Sequence, residues 1–232
     1  MKKFSVPIKF IVLWFFLVVS FTLLASLILL EANGYRINRQ TWRLEKTVLI
    51  ILDGTPRQVE LSYNGKAANV TLPVRLSKIV PGWYDLVLEK SGRGEWSKKL
   101  QLAGGEAKKI ENIILFLDQP QSTSLGSEPA TLNNISQNYK DQNSNLVIKD
   151  NEIWYGSQFV TRFDSPILGA ILARDKNHII YQMSQEIRVI ELDGSNNNLL
   201  VALQQNTPTV FALSGNKLDF IDNNIAYEAV IW

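Results

Sequence analysis

The chain has 232 residues, 46% hydrophobic and 20% charged, a balance that suits a folded protein rather than a disordered one. Its formal net charge is +2; setting aside Lys2, Lys3 and Lys9 leaves 21 Lys+Arg against 22 Asp+Glu, so no basic footprint for nucleic acid is expected. The absence of cysteine excludes disulfides, thiolate metal sites, a cysteine nucleophile and a lipid-bearing cysteine.

Residues 1–9 form a short tail whose only charges are those three lysines. Phe10 to Leu30 then runs FIVLWFFLVVSFTLLASLILL, with no charge, glycine or proline. As a helix it would be about 32 Å long, against a hydrocarbon core of about 30 Å. Sixteen of these residues are Leu, Ile, Phe or Val. Each favours insertion by roughly 0.3–0.6 kcal/mol, on the order of 5–10 kcal/mol in sum. A buried core helix would need apolar partners on every side, which a β-rich remainder does not supply. A cleaved signal peptide has a shorter apolar region and a small-residue site, and Ala25-Ser26-Leu27 fits that site poorly. The expectation is an uncleaved, single-pass anchor that meets the lipid bilayer through residues 10–30. Lys2, Lys3 and Lys9 precede the span and Arg36, Arg39, Arg43 and Lys46 follow it, so basic residues nearly balance. The tail is short and long C-terminal domains translocate largely regardless of charge, which places the N-terminus in the cytoplasm and the rest outside it.

Residues 31–46 read as a polar juxtamembrane segment. Its Tyr35 and Trp42 suit either the headgroup level or the first strand of the next domain. Residues 47–117 read as a β-domain. Thr47 to Leu52 is a β-branched apolar run, broken by Asp53-Gly54-Thr55-Pro56. Val59, Leu61 and Tyr63 alternate with polar residues, and Asn64-Gly65 follows as a tight-hairpin signal. Tyr84, Leu86 and Leu88 alternate again after Pro81-Gly82. Trp96, Leu100 and Leu102 precede the Gly104-Gly105 turn, and Ile110 to Leu117 closes the set.

This domain resembles the PEGA family. The resemblance is carried by Thr71-Leu72-Pro73, Leu76 and Ile79, by Val80-Pro81-Gly82-Trp83-Tyr84-Asp85-Leu86 and the strand that continues it, and by Gly94-Glu95-Trp96 into a closing strand. Leu72 interrupts the family's Thr-Pro element, and Gly92-Arg93-Gly94 stands where the family has Gly-Tyr. The resemblance implies a small antiparallel β-sandwich displayed on bacterial or archaeal envelope proteins, without catalytic residues.

Residues 118–145 are rich in Ser, Thr, Asn, Gln and Pro and read as a polar linker. Residues 146–232 return to short strands spaced as in antiparallel sheets. NLVIKDNEIWYG, NHIIYQMSQEIRVIEL and NKLDFIDNNIAYEAVIW each pair two strands across a polar turn, at roughly the length of a propeller blade. Their order resembles two to three incomplete blades of the TolB or WD40-like type. The fold class expected is therefore mainly β: one transmembrane helix, a PEGA-like sandwich, then blade-like antiparallel strands.

Catalytic candidates are few. His178 is the one histidine, at the start of an apolar strand, where a turn or strand-edge role is the expectation. No Gly-x-Ser-x-Gly elbow presents a serine, and no glycine-rich phosphate loop is present. Asp193-Gly194-Ser195-Asn196 carries oxygen-bearing side chains but lacks EF-hand spacing, so a hairpin turn is expected. Glu186 and Glu191 have opposite strand parity and form no carboxylate pair. Asn69-Val-Thr71 and Asn134-Ile-Ser136 match the glycosylation pattern. Trp83, Trp96 and Trp154 are the candidate ligand contacts, able to stack on sugar rings where exposed, against a core-filling role. No catalytic residue, cofactor or metal is expected. The function expected is non-enzymatic display of β-domains at the cell envelope, with an envelope protein or a glycan as partner. Alternatives are a truncated or partner-completed propeller with solute-binding or hydrolytic activity, and a structural stalk or assembly subunit.

Overall fold

The computed structural model describes residues 8–38, 42–142 and 146–232. Residues 1–7 of the expected tail and Arg39 of the charge balance lie outside the described residues. The elements in chain order are α1 (Ile8–Ala32), β1 (Tyr35–Ile37), β2 (Leu44–Lys46), β3 (Val48–Thr55), β4 (Gln58–Tyr63), β5 (Lys66–Thr71), β6 (Val74–Ile79) and β7 (Gly82–Glu89). Next come β8 (Trp96–Leu102), β9 (Ala107–Ile114), β10 (Ser122–Gly126), α2 (Pro129–Gln142), β11 (Leu146–Lys149), β12 (Glu152–Tyr155) and β13 (Gln158–Arg162). The chain ends with β14 (Ile167–Leu172), β15 (His178–Met183), β16 (Glu186–Glu191), β17 (Asn198–Ala202), β18 (Phe211–Ser214), β19 (Lys217–Asp222) and β20 (Ile225–Val230). The protein is thus mainly β, with one apolar N-terminal helix and several small antiparallel sheets.

The chain divides into two compact units: Met1–Ile51, Arg75–Trp83 and Gln101–Lys108, and Leu52–Val74, Tyr84–Leu100 and Lys109–Trp232. In the first unit, α1 is 25 residues long and none of its residues is buried. Asn33-Gly34 ends it: Asn33 N–H donates to Leu29, Gly34 N–H donates to Glu31, and Gly34 takes φ +77°, a left-handed cap that glycine adopts without a Cβ clash. The segment read as juxtamembrane folds into the β1–β2 hairpin, with Tyr35 opposite Lys46 and the lysine ammonium 5.6 Å from the tyrosine ring centre. Lys78 pairs with Glu31 at 2.9 Å, and Arg36 donates to the Lys78 carbonyl. Both partners of the ion pair are solvent-exposed, so water screens it and it adds little.

In the second unit, β5, β4, β7 and β8 lie side by side in that order. Val59, Leu61, Tyr84, Leu86 and Leu88 are buried, as the alternation requires. Asn64 and Gly65 both take positive φ and join β4 to β5. Strand β5 is nearly all exposed and pairs at an edge, which explains why its sequence carries no strand alternation. Gly54 permits a close crossing: a Cβ there would lie 2.3 Å from the Ile113 carbonyl oxygen.

Three further sheets follow, ordered β11-β12-β13, β14-β15-β16-β17 and β10-β20-β19-β18. The three sequence repeats become the β11–β12, β15–β16 and β19–β20 hairpins. Each turns on polar residues at positive φ: Asp150, Ser184, and Asn223 with Asn224. One core gathers Ile171, Ile180, Val189, Leu213, Phe220 and Ile231; another gathers Ile153, Val160, Ala170, Ile179, Tyr181 and Ile190.

The segment read as a polar linker departs from that expectation. It forms β10, which pairs with β20, and α2. Pro129 sits at the first helical position, where its missing N–H costs nothing. Leu132, Ile135 and Tyr139 recur at helical spacing; Ile135 packs with Ala212 and Ala226, and Tyr139 meets Phe211 edge-on at 5.5 Å. Gln142 completes the attachment, donating to the Leu213 carbonyl and accepting from its N–H, both at 2.9 Å. A narrow stripe in a polar background is enough to dock a helix, although the average composition reads as a linker.

Candidate functional site

His178 opens β15 and is 3% exposed. The preceding turn fixes its ring. Asp175 Oδ1 accepts the backbone N–H groups of Asn177 and His178, and Oδ2 lies 2.6 Å from His178 Nδ1. Phe116 meets the imidazole edge-on at 5.4 Å. Burial pushes the Asp175 carboxyl up, but the bond to His178 and the backbone N–H groups outweigh it and hold it below its ordinary value. The ring borders a cavity of about 400 Å³ walled by Phe116, Ala173, Ile180, Val189, Leu213 and Trp232, with Arg174 and Asn216 at its polar side. A second cleft of about 320 Å³ shares Ile114, Asp175 and Trp232 with it. The expected strand-start histidine is therefore a buried, oriented one. The residues lining this cavity include no Ser, Thr or Cys, while the adjoining cleft that shares Asp175 includes Thr55.

Directly across from His178 in the ladder stands Glu191, also buried. Trp96 Nε1 donates to Glu191 Oε1 at 2.5 Å and Lys98 Nζ donates to Oε2 at 2.8 Å. Lys98 also pairs with Asp193 at 2.9 Å, and the Asn196 amide oxygen accepts the Ser97 N–H. The Asp193–Asn196 turn joins β16 to β17, and its oxygens serve this clasp and the turn itself. Burial pushes the Lys98 ammonium down, but Glu191 and Asp193 outweigh it and raise it. Burial pushes Asp193 up, but Ser195 and Lys98 outweigh it and hold it low. Trp96 and Glu191 lie 95 positions apart, a partnership that no local pattern encodes.

The three candidate tryptophans part company. Trp96 is 1% exposed and its indole N–H is committed to Glu191, so it offers no open face. Trp83 belongs to the first unit and is 66% exposed. Trp154, in the second unit, stands in a cross-strand row with Val147 and Phe159. Its N–H donates to Glu152 at 2.8 Å, Lys149 lies 4.4 Å above its ring centre, and Phe159 meets it edge-on at 5.3 Å. Val147 and Phe159 are exposed, so the row forms an apolar strip bordered by Lys149, Glu152 and Arg162. A wide polar cleft of about 720 Å³ also opens in the second unit, lined by Glu60, Asn69, Glu89, Lys90 and Arg93 among others. Asn69 and Asn134 are both exposed.

No protein-family model matches the chain, and no curated protein is significantly similar to it. The functional reading therefore rests on geometry.

Proposed function

We propose that the protein is a non-enzymatic, single-pass component of the cell envelope. Residues 10–30 anchor it in the bilayer, the N-terminus faces the cytoplasm, and the β-rich remainder is displayed outside. The observation that carries this reading is α1: mean hydropathy 2.6, long enough to cross a membrane, and without one buried residue. Exposing such a surface to water would forfeit roughly 1.5–3 kcal/mol per large side chain, which lipid removes. Trp42, 82% exposed, and Tyr35 beside Lys46 follow the helix and suit the headgroup level. Residues 47–117 serve as a PEGA-like sandwich module, and the later antiparallel sheets serve as incomplete propeller-type blades. The Val147–Trp154–Phe159 strip is the contact face for an envelope protein or glycan. One observation favours the second reading, a partner-completed propeller that binds a solute: the cavity beside His178.

The test is protease accessibility in intact cells or spheroplasts, with the membrane fraction blotted for the full chain. Digestion of the β-rich part from outside, leaving a short anchored fragment, is the expected result. Protection until lysis overturns the orientation and makes the protein a cytoplasmic-face adaptor.

A further inference from the structure

We infer that the cavity beside His178 binds a small uncharged phenol, its ring against Phe116, Ile180 and Trp232 and its O–H donated to His178 Nε2. This inference concerns the second unit alone and does not rest on the membrane reading.

A cavity of about 400 Å³ falls within the range of small-molecule sites, which are mostly apolar with a few convergent polar groups. What the imidazole offers to this space is set by the Asp175 turn. Asp175 Oδ1 accepts the N–H groups of Asn177 and His178, and Oδ2 lies 2.6 Å from His178 Nδ1. A carboxylate can only accept, so the proton of the neutral ring sits on Nδ1 and Nε2 carries a lone pair. Nε2 has no hydrogen-bond partner among the described residues. Nor is it sealed in as an unsatisfied buried atom, so it meets the open space that the ring borders. With His178 only 3% exposed, this acceptor gains from any donor that a ligand brings.

An anion would set its own lone pairs against that of Nε2. An ammonium would carry its charge into an apolar chamber, beside the Arg174 guanidinium. A neutral donor remains, and the walls favour an aromatic one. Phe116 meets His178 edge-on at 5.4 Å and Trp232 edge-on at 5.7 Å, an edge-to-face arrangement that a further ring extends. The Asn216 amide is spent on the Trp232 carbonyl at 3.1 Å. The Trp232 indole N–H and the exposed Arg174 guanidinium make no hydrogen bond among the described residues, and both are donors. A hydroxyl suits this set better than an aromatic N–H, because its oxygen can also accept. Asp175 acts as a positioning residue: it fixes the tautomer that makes Nε2 the acceptor.

The experiment is calorimetric titration of the full chain in lipid nanodiscs with p-cresol, its methyl ether and p-toluate, each against empty nanodiscs. p-Cresol is expected to bind saturably above the lipid background, the ether about tenfold more weakly, and p-toluate without saturation. His178→Phe keeps a flat ring but removes the acceptor, so p-cresol should fall to the level of the ether while the ether is unchanged. Asp175→Asn tests the tautomer. Its amide oxygen keeps the two backbone N–H groups, its NH₂ replaces Oδ2 and donates to Nδ1, and the ring proton moves to Nε2. The ether should then tighten about tenfold and the preference for p-cresol should vanish, a change that loosened packing would not produce. The proposal is overturned if p-cresol gives no saturable signal, if its ether or p-toluate binds as tightly to the parent chain, or if the preference for p-cresol survives in either variant. The protease experiment would stand or fall separately, since it reads orientation and not this cavity.

Discussion

The two helices are opposites in every respect that composition measures. α1 is apolar all round and buries no residue, whereas α2 is polar, with a stripe of three apolar side chains, and is docked by it. Apolarity alone therefore does not decide whether a helix packs within its own protein. What decides is whether the apolar surface is confined to one stripe that a sheet can cover or is spread around the cylinder, where one sheet cannot cover it.

The largest expected effect breaks α1. Val18→Arg with Val19→Arg places two charges at mid-span, each costing about 2.5–3.5 kcal/mol. Carbonate extraction should then find the chain in the soluble fraction, while the melting temperature of the β-rich part hardly moves. Retention in the pellet together with a lower melting temperature would reverse the roles assigned to the two helices.

Ile135→Ala strikes the other helix and should do the converse. Removing a buried isoleucine side chain costs about 2–4 kcal/mol, read as a drop of several degrees in the thermal transition, with membrane association unchanged. An unshifted transition would mean that the stripe does not hold α2.

The smallest effect sharpens the contrast through charge. α1 carries no titratable group between Lys9 and Glu31, so its membrane association should be flat from pH 4 to pH 10. Beyond that range the second unit should not be flat. Asp175 is held below its ordinary value of 3.8, so its contribution is complete above that value and fades as pH falls through the lower folded value. Lys98 is raised above 10.5, so its contribution is complete below that value and is lost as pH rises through the higher folded one. Asp219 is raised by burial and then by Glu228, and it offsets part of the acid loss. Denaturant titrations extended below pH 3.8 and above pH 10.5 should show a plateau with a fall beyond each end. Asp175→Asn should flatten the acid fall, and an unchanged acid limb in that variant would remove Asp175 from the account.

What was legible in the sequence was local. The apolar span, the alternation in β4 and β7, and the polar turns of the hairpins each lie within a few residues, and each formed. What was not legible depended on partners far along the chain. β5 and β10 exist because β4 and β20 pair with them, not because their own residues demand a strand. Trp96 was weighed as a sugar platform or a core residue, and the choice fell to Glu191, which its local pattern does not mention. His178 looked bland because the Asp175 turn is a hydrogen-bond arrangement without a hydrophobic period, and the cavity beside it is assembled from five separate stretches of chain.

The bond pair between Gln142 and Leu213 has a consequence of another kind. β18 is the outermost strand of its sheet, and such a strand offers free N–H and C=O groups to any other chain that passes. By occupying both groups of Leu213 with a side-chain amide, the last residue of α2 mimics a neighbouring strand without being one. The N–H and C=O of Leu213 are thereby withdrawn from intermolecular β-pairing, so a helix that looks like idle linker caps this edge at one residue.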